Sequence, residues 1–238
     1  MSHGIKKAVI FDLDGVLVDT GEFHKQAWSD FAAYEGFKMS EELFINTFGM
    51  QNYQIVPMLA GKNLSNDETE RMSLWKDERY RNLISGHVRL LEGAEQLIKD
   101  LKRNSFSLAI GTSAPRENLI LILNNTPLNG YFDAYVTSED VSNGKPAPDT
   151  FLKAAEKLSV LSKQCIVVED AVAGVQAAKA AGMKVIAVTN TNSHCDLAAA
   201  DIVVDSLSEL SATNFLKLQS LLKLQQEQYD IDLQKRSQ

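Results

Sequence analysis

The sequence predicts an α/β fold: a doubly wound, mainly parallel, Rossmann-like sheet with an inserted α-helical domain. Short apolar runs of strand length recur along the chain. Helical patterns alternate with these runs in the second half. Between the first run and the second lie about 70 residues of helical pattern without a convincing strand, far more than a crossover connection needs.

Four runs are nearly all apolar, as strands buried on both faces of a parallel sheet must be. They are Ala8-Val9-Ile10-Phe11, Leu108-Ala109-Ile110-Gly111, Cys165-Ile166-Val167-Val168 and Val185-Ile186-Ala187-Val188. Ala134-Tyr135-Val136 and Ile202-Val203-Val204 are weaker candidates. Gly93 to Leu101 places Ala94, Leu97, Ile98 and Leu101 on one helix face. Asp149 to Leu158 and Val172 to Ala181 follow the same spacing, the second stopping at Gly182. Strands alternating with such helices imply right-handed crossovers.

The helical patterns of the insert cover Phe23–Tyr34, Glu41–Thr47, Tyr53–Leu59 and Asp67–Ile84. The expected division is a core domain of residues 1–19 and 91–238 and a helical cap domain of residues 20–90, lying as a lid over the loop it departs from. A closing helix is expected after Leu207, and the polar tail from Gln225 to Gln238 is expected to fray.

Hydrophobic residues make up 45% of the 238, enough for a sizeable core. The net charge of −7 argues against a general nucleic-acid or anionic-membrane binder. It leaves room for an anionic substrate, since a metal and one lysine can invert the sign locally. No apolar run approaches the roughly 20 residues of a membrane span. Met1 to Lys7 lacks the apolar stretch of a signal peptide. Cys165 and Cys195 make no disulfide framework, and Cys165 opens an apolar run like a buried thiol. The expectation is a cytoplasmic protein with no nucleic-acid, membrane or obligate protein partner.

In open α/β sheets, ligands bind beyond the carboxyl ends of the strands. Polar clusters follow the apolar runs there: Asp12 and Asp14 after Phe11, Thr112 and Ser113 after Gly111, Glu169 and Asp170 after Val168. Lys145 lies in the loop from Ser142 to Asp149, past the candidate strand at Tyr135. Carboxylates converging on one edge repel without a cation. Hard oxygen ligands left partly open suit Mg²⁺, which favours one or two carboxylates, waters and a substrate phosphate. A lysine and a hydroxyl beside it suit a phosphoryl group. A carboxylate can attack phosphorus, and a second, two residues on, can protonate the leaving oxygen. That second role needs a protonated Asp14 for part of the cycle, which nearby negative charge would favour. A lone D-x-D-G is common in turns. An EF-hand loop does not fit, because Leu13, Val16 and Leu17 occupy positions that should be polar.

Asp12-Leu13-Asp14-Gly15-Val16-Leu17-Val18-Asp19-Thr20 resembles the first motif of the haloacid dehalogenase superfamily. Thr112 matches its second motif, Lys145 its third and Glu169-Asp170 its fourth, and Gly174 to Gly182 is also similar. The resemblance implies that Asp12 is nucleophile and metal ligand. It implies that Asp14 is acid/base and ligates through its backbone carbonyl, and that Asp170 is a further ligand with Glu169 assisting. Thr112 and Lys145 complete the catalytic set. The segment Asp19 to Trp28 resembles the hinge and first cap helix of the β-phosphoglucomutase-like group, and Lys76 and Tyr80 fall where that group has a cap lysine and tyrosine. His24 and Lys76 are therefore candidates for the substrate side, with Ser113.

Two departures bear on the substrate. Asn52 stands where the mutase has a cap-loop arginine, and Ala114-Pro115-Arg116 stands where it has Ser-Lys-Asn. Both concern a second phosphate, and Arg116 could partly restore the lost charge. The expected activity is Mg²⁺-dependent hydrolysis of a small phosphomonoester, a phosphorylated metabolite of the sugar-phosphate kind. The alternative is a phosphohexomutase, and the remote one a non-catalytic binding protein, which should have lost Asp12, Asp14 or Lys145. Trp28 and Trp75 are expected to be packing residues.

Overall fold

In a computed structural model, which describes residues 7–220, six parallel strands form one sheet. They are β1 (Ala8–Phe11), β2 (Ser107–Gly111), β3 (Ala134–Val136), β4 (Cys165–Glu169), β5 (Lys184–Val188) and β6 (Ile202–Val204), in the order β3-β2-β1-β4-β5-β6. The chain winds outward from β1 to β3, crosses back beside β1 at β4, and winds out the other way. The ends of β1 and β4 are therefore the switch point of the sheet.

Successive side chains leave a strand on opposite faces. Val9, Phe11, Leu108, Ile110, Ile166 and Val168 pack on one face against α5 (Ala94–Arg103), α6 (Arg116–Asn124) and the helical residues 212–220. Ala8, Ile10, Ala109 and Val167 pack on the other against α7 (Asp149–Leu158) and α8 (Val172–Ala180). Helices on both faces make the sheet doubly wound and explain why the strand runs are apolar throughout.

Helix α6 was not expected from the sequence. Its run Leu119-Ile120-Leu121-Ile122-Leu123 carries no helical period, yet Asn118, Leu119, Ile122 and Leu123 form its buried face. The expected closing helix is present at 212–220, while the tail from Gln225 to Gln238 and the first six residues lie outside the described part.

Between β1 and α5 stand the helices of the insert: α1 (Gly21–Glu35), α2 (Glu41–Thr47), α3 (Asn52–Ala60) and α4 (Asn66–Ile84). Local signals set their ends. Helix α4 opens on a capping box, with Ser65 Oγ accepting from Glu68 N at 3.2 Å and Glu68 Oε2 accepting from Ser65 N at 2.9 Å. Trp28, Phe31, Phe44, Phe48, Ile55, Val56, Leu59 and Met72 form a hydrophobic cluster of the insert, which Ala171 joins from the start of α8. The two stretches of chain entering and leaving the insert hold each other: Asp19 N donates to Arg89 O and Leu91 N to Leu17 O, both at 3.0 Å.

Candidate active site

The register of the sheet assembles the site. Phe11 is level with Ile110 and Val168, so Asp12, Gly111 and Glu169 share one level, and Thr112 and Asp170 lie one residue beyond. Asp12 N donates to Val168 O at 2.9 Å and Thr112 N to Val136 O at 3.0 Å, which holds both residues to the strand ends.

Lys145 arrives from the loop before α7 and is fully buried. Its Nζ donates to Asp12 Oδ1 at 2.5 Å and to Glu169 Oε1 at 2.6 Å, and lies 4.8 Å from the centre of the Phe151 ring. Glu169 Oε2 accepts from the backbone N–H groups of Asp170 and Ala171, at 2.7 and 2.8 Å. Both oxygens of Glu169 are thus engaged, and its first effect is to place the lysine. The absence of a side chain at Gly174 makes this possible, since a Cβ there would lie 1.7 Å from Glu169 Oε1.

Asp170 is buried, with Oδ2 bonded by Thr191 Oγ1 and Oδ1 lacking any hydrogen-bond partner. A Cβ on Gly15, whose φ is +81°, would meet Asp170 Oδ2 at 2.0 Å, so only glycine lets the loop after β1 pass this carboxylate. Asn190 Nδ2 donates to Gly15 O and Asn192 Nδ2 to Asp170 O, both at 2.9 Å. The sequence reading missed this Asn190-Thr191-Asn192 loop. Its signal was the same as for the other clusters: polar residues directly after an apolar run, here Val185 to Val188.

Three carboxylates face one ammonium. Burial raises Asp12 to about 7 against the pull of Lys145, and Glu169 and Asp14 add to the rise. Burial, Glu169 and Asp12 raise Asp170 well above the carboxylate range. Lys145 is held above the ordinary lysine range, because Asp12 and Glu169 outweigh its burial. Asp12, Glu169 and Asp170 bring oxygens within 4.8 Å of one another. Such an oxygen set, with an orphaned buried carboxylate oxygen and excess negative charge, fits a hard divalent cation.

Asp14 has different neighbours. Its Oδ1 accepts from His24 Nε2 at 3.1 Å and Tyr80 OH at 3.3 Å. Lys76 Nζ lies 3.0 Å from His24 Nδ1. An ammonium can only donate, so Nδ1 accepts and the Nε2–H points to Asp14. Helical spacing explains the set: His24 and Trp28 are one turn apart on α1, as Lys76 and Tyr80 are on α4. The His24 ring stacks on Tyr80 with centroids 3.9 Å apart, and Lys76 Nζ lies 5.0 Å from the Trp28 ring centre. Burial pushes Asp14 up, but His24 and Lys76 outweigh it and hold the carboxyl below its ordinary value. Burial and Lys76 lower His24, which is neutral. Nearby negative charge was expected to favour a protonated Asp14 for part of the cycle; without substrate its nearest partners are instead proton donors from the insert, which favour the ionised form.

One cavity lies between these groups and the insert, lined by Asp12, Asp14, His24, Thr112, Ser113, Asn52, Lys76 and, beyond the expected set, Asp77 and Asn118. Thr112 Oγ1 accepts from Ala114 N at 3.0 Å, while Ser113 Oγ donates to Gly49 O of the insert at 2.6 Å. Trp28 lines the cavity, whereas Trp75 stacks on Tyr34 at 4.9 Å away from it. Arg116 is placed elsewhere. It is exposed on the first turn of α6 and lines a separate cleft with Leu119, Ile120 and Lys157. At about 100° per residue it lies on the far side of the helix from Asn118, which takes the inward position. Among the described residues, no arginine lines the cavity.

The haloacid dehalogenase-like hydrolase family matches residues 9–188. A chloroplastic 5-amino-6-(5-phospho-D-ribitylamino)uracil phosphatase of Arabidopsis thaliana is 31% identical over 88% of this chain, which spans 57% of that protein. A fructose-1-phosphate phosphatase of Escherichia coli is 32% identical over 75% of this chain and 94% of its own length. The crystal structure of a β-phosphoglucomutase from Clostridium difficile superposes with a TM-score of 0.84 at 29% identity, covering 92% of this chain and all of the other.

Proposed function

Because the chain belongs to the haloacid dehalogenase-like hydrolase family and is an enzyme of that class, we propose that it is a Mg²⁺-dependent phosphatase of small phosphomonoesters, sugar phosphates among them. The observation that carries the reading is the convergence of Asp12, Lys145 and Asp170, with one buried Asp170 oxygen left unpartnered. Asp12 and Asp170, with the backbone carbonyl of Asp14 and with Glu169 assisting, would hold the ion. When bound, Mg²⁺ supplies positive charge to the phosphoryl oxygens and restores Asp12 to its anionic form.

The chain's own residues do the rest. Asp12 attacks phosphorus to form an aspartyl-phosphate. Lys145, fixed by Glu169, neutralises the transferring oxygens, and the Thr112 hydroxyl donates to one of them. Asp14 protonates the leaving alcohol as its bond to phosphorus breaks, then takes a proton from a water that attacks phosphorus, which breaks the bond to Asp12 and releases phosphate. Its Oδ1 is engaged by His24 and Tyr80, which leaves Oδ2 for the reacting oxygens. The pairing with His24 favours the base form, and the approach of an anionic phosphoryl group raises Asp14 toward the acid form.

A phosphohexomutase uses the same Asp pair with a sugar hydroxyl in place of water. Hydrolysis is favoured because Asn52 is turned to Asp77 and, among the described residues, no arginine lines the cavity to hold a second phosphate. The decisive experiment follows p-nitrophenyl phosphate and a panel of sugar phosphates, with β-glucose 1-phosphate plus a bisphosphate primer included. Phosphate release that requires Mg²⁺ and falls at least about 10³-fold in Asp12→Asn is expected. Glucose 6-phosphate as the main product would establish the mutase, and an inactive wild type on every ester would remove the phosphatase reading.

A further inference from the structure

Resting on the phosphatase reading of this cavity, we infer that Asp77, Asn52 and Asn118 form the subsite for the leaving group. It selects a neutral, polyhydroxylated alcohol and rejects one that carries a second anionic group.

Asp77 lies on the cavity wall and is only 5% exposed. Its Oδ2 accepts from Asn52 Nδ2 at 2.7 Å, and its Oδ1 accepts from Asn118 Nδ2 and from Lys76 Nζ, each at 3.3 Å. These residues come from α3, α4 and α6, so the cluster joins insert and core. Asn118 is itself oriented: Arg81 donates to its Oδ1 at 2.9 Å, which turns its amide N–H groups to Asp77.

The donor and acceptor pattern identifies the ligand. A carboxylate offers about four acceptor sites, and each primary amide has a second N–H beyond the one used here. The carboxylate of Asp77 offers acceptors and the two flanking amides offer N–H donors in one neighbourhood, which suits vicinal hydroxyls, since each is donor and acceptor at once. A phosphate dianion or a carboxylate can only accept, and so can make no bond to Asp77. Among the described residues, the one lysine or arginine lining the cavity, Lys76, is already paired with Asp77 and donates to His24. The rest of the lining includes the apolar rings of Trp28, Phe44 and Phe48. A second anionic group would therefore lose its water beside a carboxylate without gaining a cation.

Discrimination is read from kcat/KM in Mg²⁺ for matched pairs: fructose 6-phosphate against fructose 1,6-bisphosphate, and glycerol 3-phosphate against 3-phosphoglycerate. Wild type is expected to favour the first member of each pair about 100-fold. Asp77→Asn is expected to narrow that ratio at least about tenfold, mainly through KM, and Asp77→Glu to restore part of it. Asn52→Ala reads the same ratio should Asp77→Asn not fold. Equal use of both members by wild type, or a ratio untouched by the variants, overturns the subsite. If no ester is turned over, the phosphatase reading falls, and calorimetric titration of the same pairs into wild type decides the subsite alone. Tighter binding of the single-anion member then supports it, and equal or inverted binding overturns it.

Discussion

Asp12 and Asp14 are two residues apart and experience opposite electrostatics. Asp12 is raised by burial and by the carboxylates of Glu169 and Asp14, whereas Asp14, although buried, is held down by donors from the insert. The sign of the first shift has a consequence for stability. Asp12 moves from an ordinary 3.8 to about 7. Between those values the folded protein keeps a proton that the unfolded chain has lost. Metal-free protein therefore loses stability as pH rises through that window, and the penalty is complete above it. Asp170 is displaced in the same direction. A cation must displace these protons, so its binding strengthens with pH. Millimolar Mg²⁺ is expected to raise Tm by several degrees at pH 8 and by much less at pH 5.5. Equal shifts at both would count against Asp12 and Asp170 as ligands.

Helix α8 matters through what it lacks on one face. The carboxylate of Glu169 occupies the space a side chain at Gly174 would take, while the first N–H groups after β4 bind its other oxygen. Strand end, glycine and lysine therefore act together. Gly174→Ala must move either α8 or Glu169, and through Glu169 the ammonium of Lys145. A loss of about 1–3 kcal/mol in denaturant unfolding is expected, with a fall in kcat. Full stability with full activity would show that the helix yields without cost. Helix α6 contributes by rotation: it turns Asn118 into the cavity and Arg116 out to solvent.

The insert and the sheet meet at the loop Gly49–Gln51. Gly49 O accepts from Ser113 Oγ at 2.6 Å, and Gln51 Nε2 donates to Ser138 O at 3.4 Å. Close backbone passage accompanies both contacts. A Cβ on Gly49 would approach Ala171 Cβ to 2.8 Å, and one on Gly144 would approach Gln51 Cδ to 2.6 Å. The same docking of insert on sheet brings His24 and Tyr80 onto Asp14, so the hydrogen bonds on its Oδ1 depend on that docking. Ser113→Ala removes one bond worth about 0.5–1.5 kcal/mol from this contact between insert and sheet. KM is expected to rise a few-fold in steady-state assays with kcat nearly unchanged. A fall in kcat alone would place Ser113 in the chemistry instead.

Asp12, Thr112, Lys145, Glu169 and Asp170 were legible in the amino-acid sequence, as was the alternation of strands and helices. Each strand-end cluster follows an apolar run, and parallel strands carry their carboxyl ends to one edge whatever the details of packing. The helical insert was legible for a similar reason, since helical periodicity is a local property. What chain order could not supply was the pairing of side chains far apart in sequence. The bonds from Lys76 to His24, from Asn52 to Asp77 and from Asn118 to Asp77 each join residues brought together by the docking of one helix on another. The turn of Arg116 away from the cavity depends in the same way on how α6 rotates against the sheet. Residue types along a chain announce the chemistry a strand end can perform. The fate of each charge, free for a substrate or already spent on a neighbour, is settled by packing.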